Sequence, residues 1–193
     1  MCRRTRGGVA VGMLAMVAGC FGIVNESYMN ESSAAAQPSP GKAMVKVVRM
    51  GGSGLPGTVG VWDREKMVGR SEVGTVIVYE CDPGEHLFIA SARGGMGLVK
   101  ANLLPDKTYD IVVELKQGTF SGPKARLYAS KPTNNFSKMT GVFDRLRHVV
   151  ANPNVTAQTE EANRPGIQAF LAKYESGRHV GLVDELGPND HRP

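Results

Sequence analysis

Eight short runs of β-branched and aromatic residues lie between Ala43 and Ser130, each bounded by Gly, Pro or polar residues. The runs cover 43–50, 58–63, 66–69, 75–81, 85–92, 97–104, 108–116 and 125–130. No gap between them is long enough for the crossover helix that a parallel βαβ unit requires. The 24 Gly and 11 Pro residues are typical of a chain with many turns. The pattern predicts a mainly β fold, an antiparallel β-sandwich of about seven to eight strands over residues 43–131.

Two stretches after the β-rich region place apolar residues at helical spacing. The first is 134–150, and the second is 165–177, which opens with Pro165 and closes on Gly177. They predict two short amphipathic helices in an extension over 132–180 that packs onto the sandwich, with a free apolar face for a partner as the alternative. The tail over 181–193 ends in "GPNDHRP" and is expected to be disordered.

The first 20 residues have the anatomy of an export signal. A basic head is followed by thirteen uncharged small or apolar residues and then by Cys20. The ending "VAGC", over 17–20, resembles the lipobox of bacterial lipoprotein signal peptides. That resemblance implies cleavage between Gly19 and Cys20, acylation of the Cys20 sulfur, and lipid anchoring in the cell envelope. Phe21 stands where an inner-membrane retention signal has Asp, which favours the outer membrane.

Three alternatives to the lipobox interpretation remain open: an ordinary secretory signal, an uncleaved anchor and a short buried helix that contains Cys20. Residues 20–42 are rich in Ser, Ala, Pro, Asn and Glu and predict a flexible tether behind the lipid. The formal charge of +5 falls to +2 without Arg3, Arg4 and Arg6, and the remaining basic residues are scattered among acids. This charge pattern argues against nucleic acid as a partner.

The densest cluster of reactive groups is "ECDPGEH", over 80–86. A hairpin with Pro83 and Gly84 at its tip would place Cys81 opposite His86. Two such ligands fall short of a zinc site, and a thiol beside an imidazole has two of the three parts of a nucleophilic centre. His148, His179 and His191 could join them only through tertiary contacts. The sequence therefore predicts a structural turn without cofactor or metal, and leaves Cys81 and His86 as a weak candidate site.

Residues 43–116 resemble the β-sandwich of uncharacterised bacterial lipoproteins, close in style to PEGA-type domains. The resemblance rests on "GTVIVYECDPGEHLFIAS" and "LVKANLLPDKTYDIVVEL", with Pro83, Gly84, His86 and Tyr109 at the motif positions. It implies a structural or interaction module of the envelope, without enzymatic activity, that contacts a protein, peptidoglycan or glycan. The alternative is a periplasmic metal-dependent or thiol enzyme that uses Cys81 and His86.

The segment "LLPDKTY", over 103–109, predicts a turn that leads to a tyrosine at a sandwich corner. In such corners the tyrosine hydroxyl bonds to the backbone a few residues upstream. The alternative is that Tyr109 is a half-buried strand aromatic.

Overall fold

The computed structural model describes residues 28–50, 55, 57–118, 122–178 and 182–192. Within these ranges the chain is mainly β, with eleven strands, two α-helices and one 3-10 turn. The strands are β1 Met29–Glu31, β2 Ala43–Arg49, β3 Val59–Asp63, β4 Lys66–Ser71, β5 Thr75–Cys81, β6 Gly84–Ala92, β7 Gly95–Leu103, β8 Thr108–Lys116, β9 Lys124–Ala129, β10 Arg147–Ala151 and β11 Val183–Leu186. The 3-10 turn covers Asn135–Met139, and the helices are α1 Thr140–Phe143 and α2 Pro153–Glu175.

The strands form two sheets that pack face to face. Sheet A has the order β1-β10-β5-β2-β8-β9, and sheet B has the order β11-β7-β6-β3-β4. All eight strands predicted from the sequence are confirmed, as is the mainly β, sandwich-like architecture. The prediction of purely antiparallel sheets is wrong, because the pairs β2 with β8, β10 with β5 and β11 with β7 are parallel.

The main core lies between the sheets and follows the period-2 alternation of the strands. Its side chains come from the inward-facing positions of both sheets, among them Val45, Val47, Val61, Ile77, Phe88, Val99, Ile111 and Leu127. Strand β2 is buried at every position, because it lies inside sheet A and the outer face of that sheet is covered too.

Three strands lie outside the region that the sequence predicted to be β. Strand β1 pairs with β10, and β10 pairs with β5, so both extend sheet A. Strand β11 pairs with β7 and extends sheet B. The predicted tether therefore contributes a strand at 29–31, the predicted helix at 134–150 ends at Phe143 and is followed by a strand, and the predicted tail carries strand β11. In each case an open sheet edge supplies backbone hydrogen bonds that the isolated segment lacks.

The second predicted helix is longer than expected. Helix α2 begins at Pro153, with Asn152 as its N-cap, and carries Pro165 in its interior. It packs Ile167 and Leu171 against the outer face of sheet B, on Trp62 among other residues. The prediction that this segment packs onto the sandwich is thus confirmed. No helix in the described residues is long and apolar enough to cross a membrane.

The outer face of sheet A is covered by the segment over 135–146 and by the end of the chain. Phe143 is fully buried against valines of β2, β5 and β8. Beside this apolar patch, the Arg192 guanidinium donates to both carboxylate oxygens of the buried Asp110, at 2.8 and 2.9 Å. The prediction of a disordered tail is wrong over 187–192, because this bidentate ion pair holds the tail on the sheet.

The tyrosine corner is confirmed. The hydroxyl of Tyr109 accepts a hydrogen bond from the backbone N–H of Leu104 at 3.0 Å and donates to the carbonyl of Pro188 at 2.9 Å. The ring is fully buried. Residue 104 follows β7 of sheet B and Tyr109 lies in β8 of sheet A, so this bond fixes the chain where it passes from one sheet to the other.

Candidate functional site at one end of the sandwich

The connection over residues 82–83 joins the two sheets, and the predicted hairpin is wrong. Strand β5 pairs with β2 and β10, whereas β6 pairs with β3 and β7. The physical reason is in the turn residues. A Pro-Gly pair suits a type II turn, whose twist does not match that of a two-residue hairpin. Gly84 takes φ +118°, and the chain crosses the sandwich instead of folding back beside itself.

The connection nevertheless brings together the side chains that the hairpin was expected to pair. Tyr79 and Cys81 point inward from β5 of sheet A, and His86 and Phe88 point inward from β6 of sheet B. The Tyr79 and Phe88 rings meet edge to face at 6.3 Å between centroids, and the His86 ring stacks on Phe88 at 5.8 Å. The thiol and the imidazole thus share one end of the space between the sheets.

Both nitrogens of the His86 ring are held by acceptors. Nδ1 lies 2.7 Å from Oδ2 of Asp63, at the end of β3, and Nε2 lies 2.8 Å from the backbone carbonyl of Asp82. A ring that meets two acceptors must donate from both nitrogens, so it is an imidazolium. The hydrogen bond to Asp63, with a smaller effect of the neighbouring Cys81 side chain, raises the pKa of His86 to about 10 against the opposing effect of burial.

Asp63 is the centre of the cluster. Its carboxylate is 9% exposed in the folded chain and also accepts a hydrogen bond from the Tyr79 hydroxyl at 3.1 Å. Burial, followed by the charge of Asp63, raises the pKa of Tyr79, so the phenol stays a proton donor. One carboxylate of sheet B therefore binds a phenol of sheet A and an imidazolium of its own sheet.

Cys81 is a free thiol that belongs to the main core, with 7% of its surface exposed. Cys81, His86 and Asp63 are the residue types of a nucleophilic triad, but their arrangement does not suit that chemistry. A general base needs a vacant lone pair toward the nucleophile, and the Nε2 proton of His86 points to the Asp82 carbonyl. Because both ring nitrogens of His86 are directed to Asp63 and to the Asp82 carbonyl, neither is placed to accept the proton of the Cys81 thiol.

The other charged residues of "ECDPGEH" lie at the surface of the connection. The Asp82 carboxylate is 80% exposed and pairs with Lys42 at 2.7 Å. The Glu80 carboxylate accepts the backbone N–H of Ser39 at 2.7 Å. Both bonds hold the segment before β2, through Ser39 and Lys42, against the end of β5.

His148 and His191, the two other histidines in the described residues, do not complete a metal site with this pair. His148 lies on the opposite face of sheet A, where Nδ1 bonds the Leu146 carbonyl and burial lowers its pKa. His191 packs against Tyr109, and His179 lies outside the described residues. Among the residues that the structure describes, no three of the His, Cys, Asp and Glu side chains are grouped to hold a metal ion.

Sequence reasoning missed Asp63, although a signal was present. The run "TVGVWD" alternates Val59, Val61 and Asp63 on one face, and the two valines mark that face as the buried one. An acid at the next inward position requires a partner. Its partner comes from β6, the neighbouring strand of sheet B, where Asp63 pairs in register with Phe88.

We expect Gly84→Val to destabilise the fold by about 1–3 kcal/mol, because a β-branched residue does not adopt φ +118° without strain. Cys81→Ser exchanges one small side chain for another at a 7% exposed position, and should cost less. Urea unfolding of both variants beside the wild type measures the difference. Equal midpoints for the two variants would contradict the role assigned to this connection.

Comparisons with protein-family models, with curated proteins and with solved structures found no match to this chain. The lipobox, with Gly19 and Cys20, lies outside the described residues, so acylation stays a prediction from the sequence.

Proposed function

We propose that this chain is a non-enzymatic envelope protein, anchored by acylated Cys20 and exported through the signal over residues 1–19. Its two-sheet domain acts as an interaction module toward another envelope protein, peptidoglycan or a glycan, at the outer membrane where the cell has one. The anchor rests on the basic head, the apolar stretch and the "VAGC" box.

The observation that supports a non-enzymatic role is the state of His86. In the densest group of reactive side chains, both imidazole nitrogens of His86 are hydrogen-bonded within the protein, to Asp63 at 2.7 Å and to the Asp82 carbonyl at 2.8 Å. Asp63, Tyr79 and Cys81 are likewise directed into the protein. A cluster whose polar groups satisfy one another joins the two sheets, and it offers a substrate no free base and no exposed nucleophile.

The anchor is tested by labelling cells with a palmitate analogue and following this protein in membrane and soluble fractions. The wild type should carry the label and sediment with the membrane, whereas Cys20→Ser should lose both properties. Cys2→Ser and Cys81→Ser are matched controls, since they remove the other two cysteines of the chain, and both should keep the label. A labelled Cys20→Ser variant would refute the lipobox assignment.

A further inference from the structure

A second feature lies on the outer face of sheet B, away from the His86 cluster. A pocket of about 320 Å³ opens between strands β3, β4 and β6 and the first half of α2. Its polar lining comes from Thr58, Arg70, Ser91, Arg93, Thr159 and Asn163, with Trp62 and Gly60 as part of its wall. This volume is at the lower end of the range for small-molecule sites.

The indole of Trp62 is buried, with 3% of the residue exposed, but its N–H has no acceptor among the described residues. A Cβ at Gly60 would lie only 3.2 Å from Nε1. Gly60 precedes Trp62 by two positions on the same face of β3, so the N–H lies on the side of the ring where the pocket opens. Trp62 Nε1 is not one of the fully buried side-chain atoms that lack a partner, so its N–H is accessible from the pocket and open to an acceptor on a ligand.

The charge of the lining has one sign. Arg70 and Arg93 both line the pocket, and no Asp or Glu does so. Neither guanidinium has an ion-pair partner in the described part of the chain. Arg70 lies over the Tyr28 ring, 3.8 Å from its centroid, which holds the guanidinium in place at the rim. Two arginines and an indole N–H make a set of donors for an oxyanion.

The lining also carries acceptors for hydroxyl groups. The side-chain nitrogen of Asn163 donates to the Thr159 carbonyl at 2.8 Å, which leaves the amide oxygen for a ligand. The Thr159 hydroxyl donates to the Val155 carbonyl at 3.1 Å, so its lone pairs face outward as acceptors. Donors for an anion beside acceptors for hydroxyls match a sugar that bears a phosphate or a carboxylate.

We propose that this pocket binds an anionic sugar, with the Trp62 indole N–H and the Arg70 and Arg93 guanidinium groups on the anionic group. The inference does not depend on acylation of Cys20 and goes beyond the role of the domain as an interaction module.

The chain contains one tryptophan, so tryptophan fluorescence and the single indole N–H signal in NMR report on Trp62, which lines this pocket. Full-length protein is titrated with glucose 6-phosphate, with glucose and with inorganic phosphate. Glucose 6-phosphate should shift the indole signal downfield and change the emission in a saturable way. Glucose should produce neither change, and inorganic phosphate should bind at least about tenfold more weakly, because it lacks the hydroxyl contacts.

Arg93→Gln should weaken glucose 6-phosphate binding by about tenfold or more, since a charge-assisted contact is lost. Arg178→Gln, an exposed arginine on the C-terminal side of α2, is the matched control and should leave binding unchanged. A folded protein whose indole signal stays fixed with all three probes overturns the proposal. Equal binding of glucose, equal binding of inorganic phosphate, or an unaffected Arg93→Gln variant would overturn it as well.

Discussion

Gly97→Val is expected to lower the free energy of unfolding by about 4 kcal/mol or more, the largest effect of a single substitution that this structure predicts. Gly97 faces inward from β7, and β9 of the opposite sheet passes directly over it. A Cβ at this position would lie 2.6 Å from the Cα of Arg126 and 2.7 Å from the backbone nitrogen of Leu127. Both contacts are with backbone, so no side-chain rotation relieves them, and the sheets must move apart.

The measurement is thermal and urea unfolding of Gly97→Ala and Gly97→Val beside Gly166→Ala. Gly166 is the matched control, because it lies in α2 with no atom within 4 Å of an added Cβ. Gly166→Ala should raise stability by about 0.5–1 kcal/mol through the lower helix propensity of glycine. Gly97→Ala should already be destabilised. If the wild type and Gly97→Ala unfold at the same urea concentration, the close approach of β7 and β9 is wrong.

Asp63→Asn is expected to cost about 3 kcal/mol at pH 7, because it leaves the His86 imidazolium without its charged partner in a half-buried site. The pKa of His86 should fall toward the ordinary value, since the bond to Asp63 is the largest cause of its increase. Asn has nearly the shape of Asp, so the loss measures charge and not packing. His86→Gln with Asp63→Asn should cost less than the sum of the two single changes.

The same pair makes stability depend on pH. The pKa of His86 is about 10 in the folded chain and about 6.5 in an unfolded one, so the folded state binds more protons between these values. The stabilisation is complete below pH 6.5 and is lost as the pH rises toward 10. From pH 7 to 9 the wild type should lose roughly 2 kcal/mol, and Asp63→Asn should lose much less.

Urea unfolding of both proteins at pH 7, 8 and 9 gives the two slopes. Subtracting the slope of Asp63→Asn cancels the contributions of the groups that both proteins share. Parallel slopes would show that His86 titrates normally and that its bond to Asp63 contributes little. Burial lowers the pKa of His148. The effect of His148 on the pH dependence of stability therefore lies below pH 6.5, outside the range from pH 7 to 9.

The eight strands from β2 to β9 could be predicted from sequence because each is a run of apolar, often β-branched residues between turn residues, whereas β1, β10 and β11 have no such pattern and form at sheet edges. The partners of the strands could not be predicted, because a period-2 pattern fixes which face is buried and says nothing of which neighbour supplies the hydrogen bonds. The β2 with β8 pairing joins strands that are distant in sequence. The sequence predicts a helix where β10 lies, because Phe143, Leu146 and Val150 also fit a helical spacing over so short a stretch.

The connection over 82–83 follows from the local conformational preferences of Pro83 and Gly84. Pro83 with Gly84 correctly predicts a turn with positive φ, but the same pair disfavours the twist of a tight hairpin. Tyr79, Cys81, His86 and Phe88 all point inward, as predicted. The hairpin was wrong but these faces were right, because side chains alternate between the two faces of a strand in a hairpin and in two packed sheets alike. Asp63 could be found only by treating an inward-facing acid as a residue in need of a partner.

The central claim is that His86 is a structural imidazolium joined to Asp63, and NMR titration of its ring tests this most directly. The signals of the four histidines are assigned by comparison with His86→Gln, and the ring nitrogens are followed from pH 5 to 10.5. The structure predicts two protonated nitrogens at pH 8 and a pKa for His86 near 10. A pKa near 6.5, with a deprotonated Nε2 at pH 8, would contradict the account and return Cys81 and His86 to the status of a reactive pair.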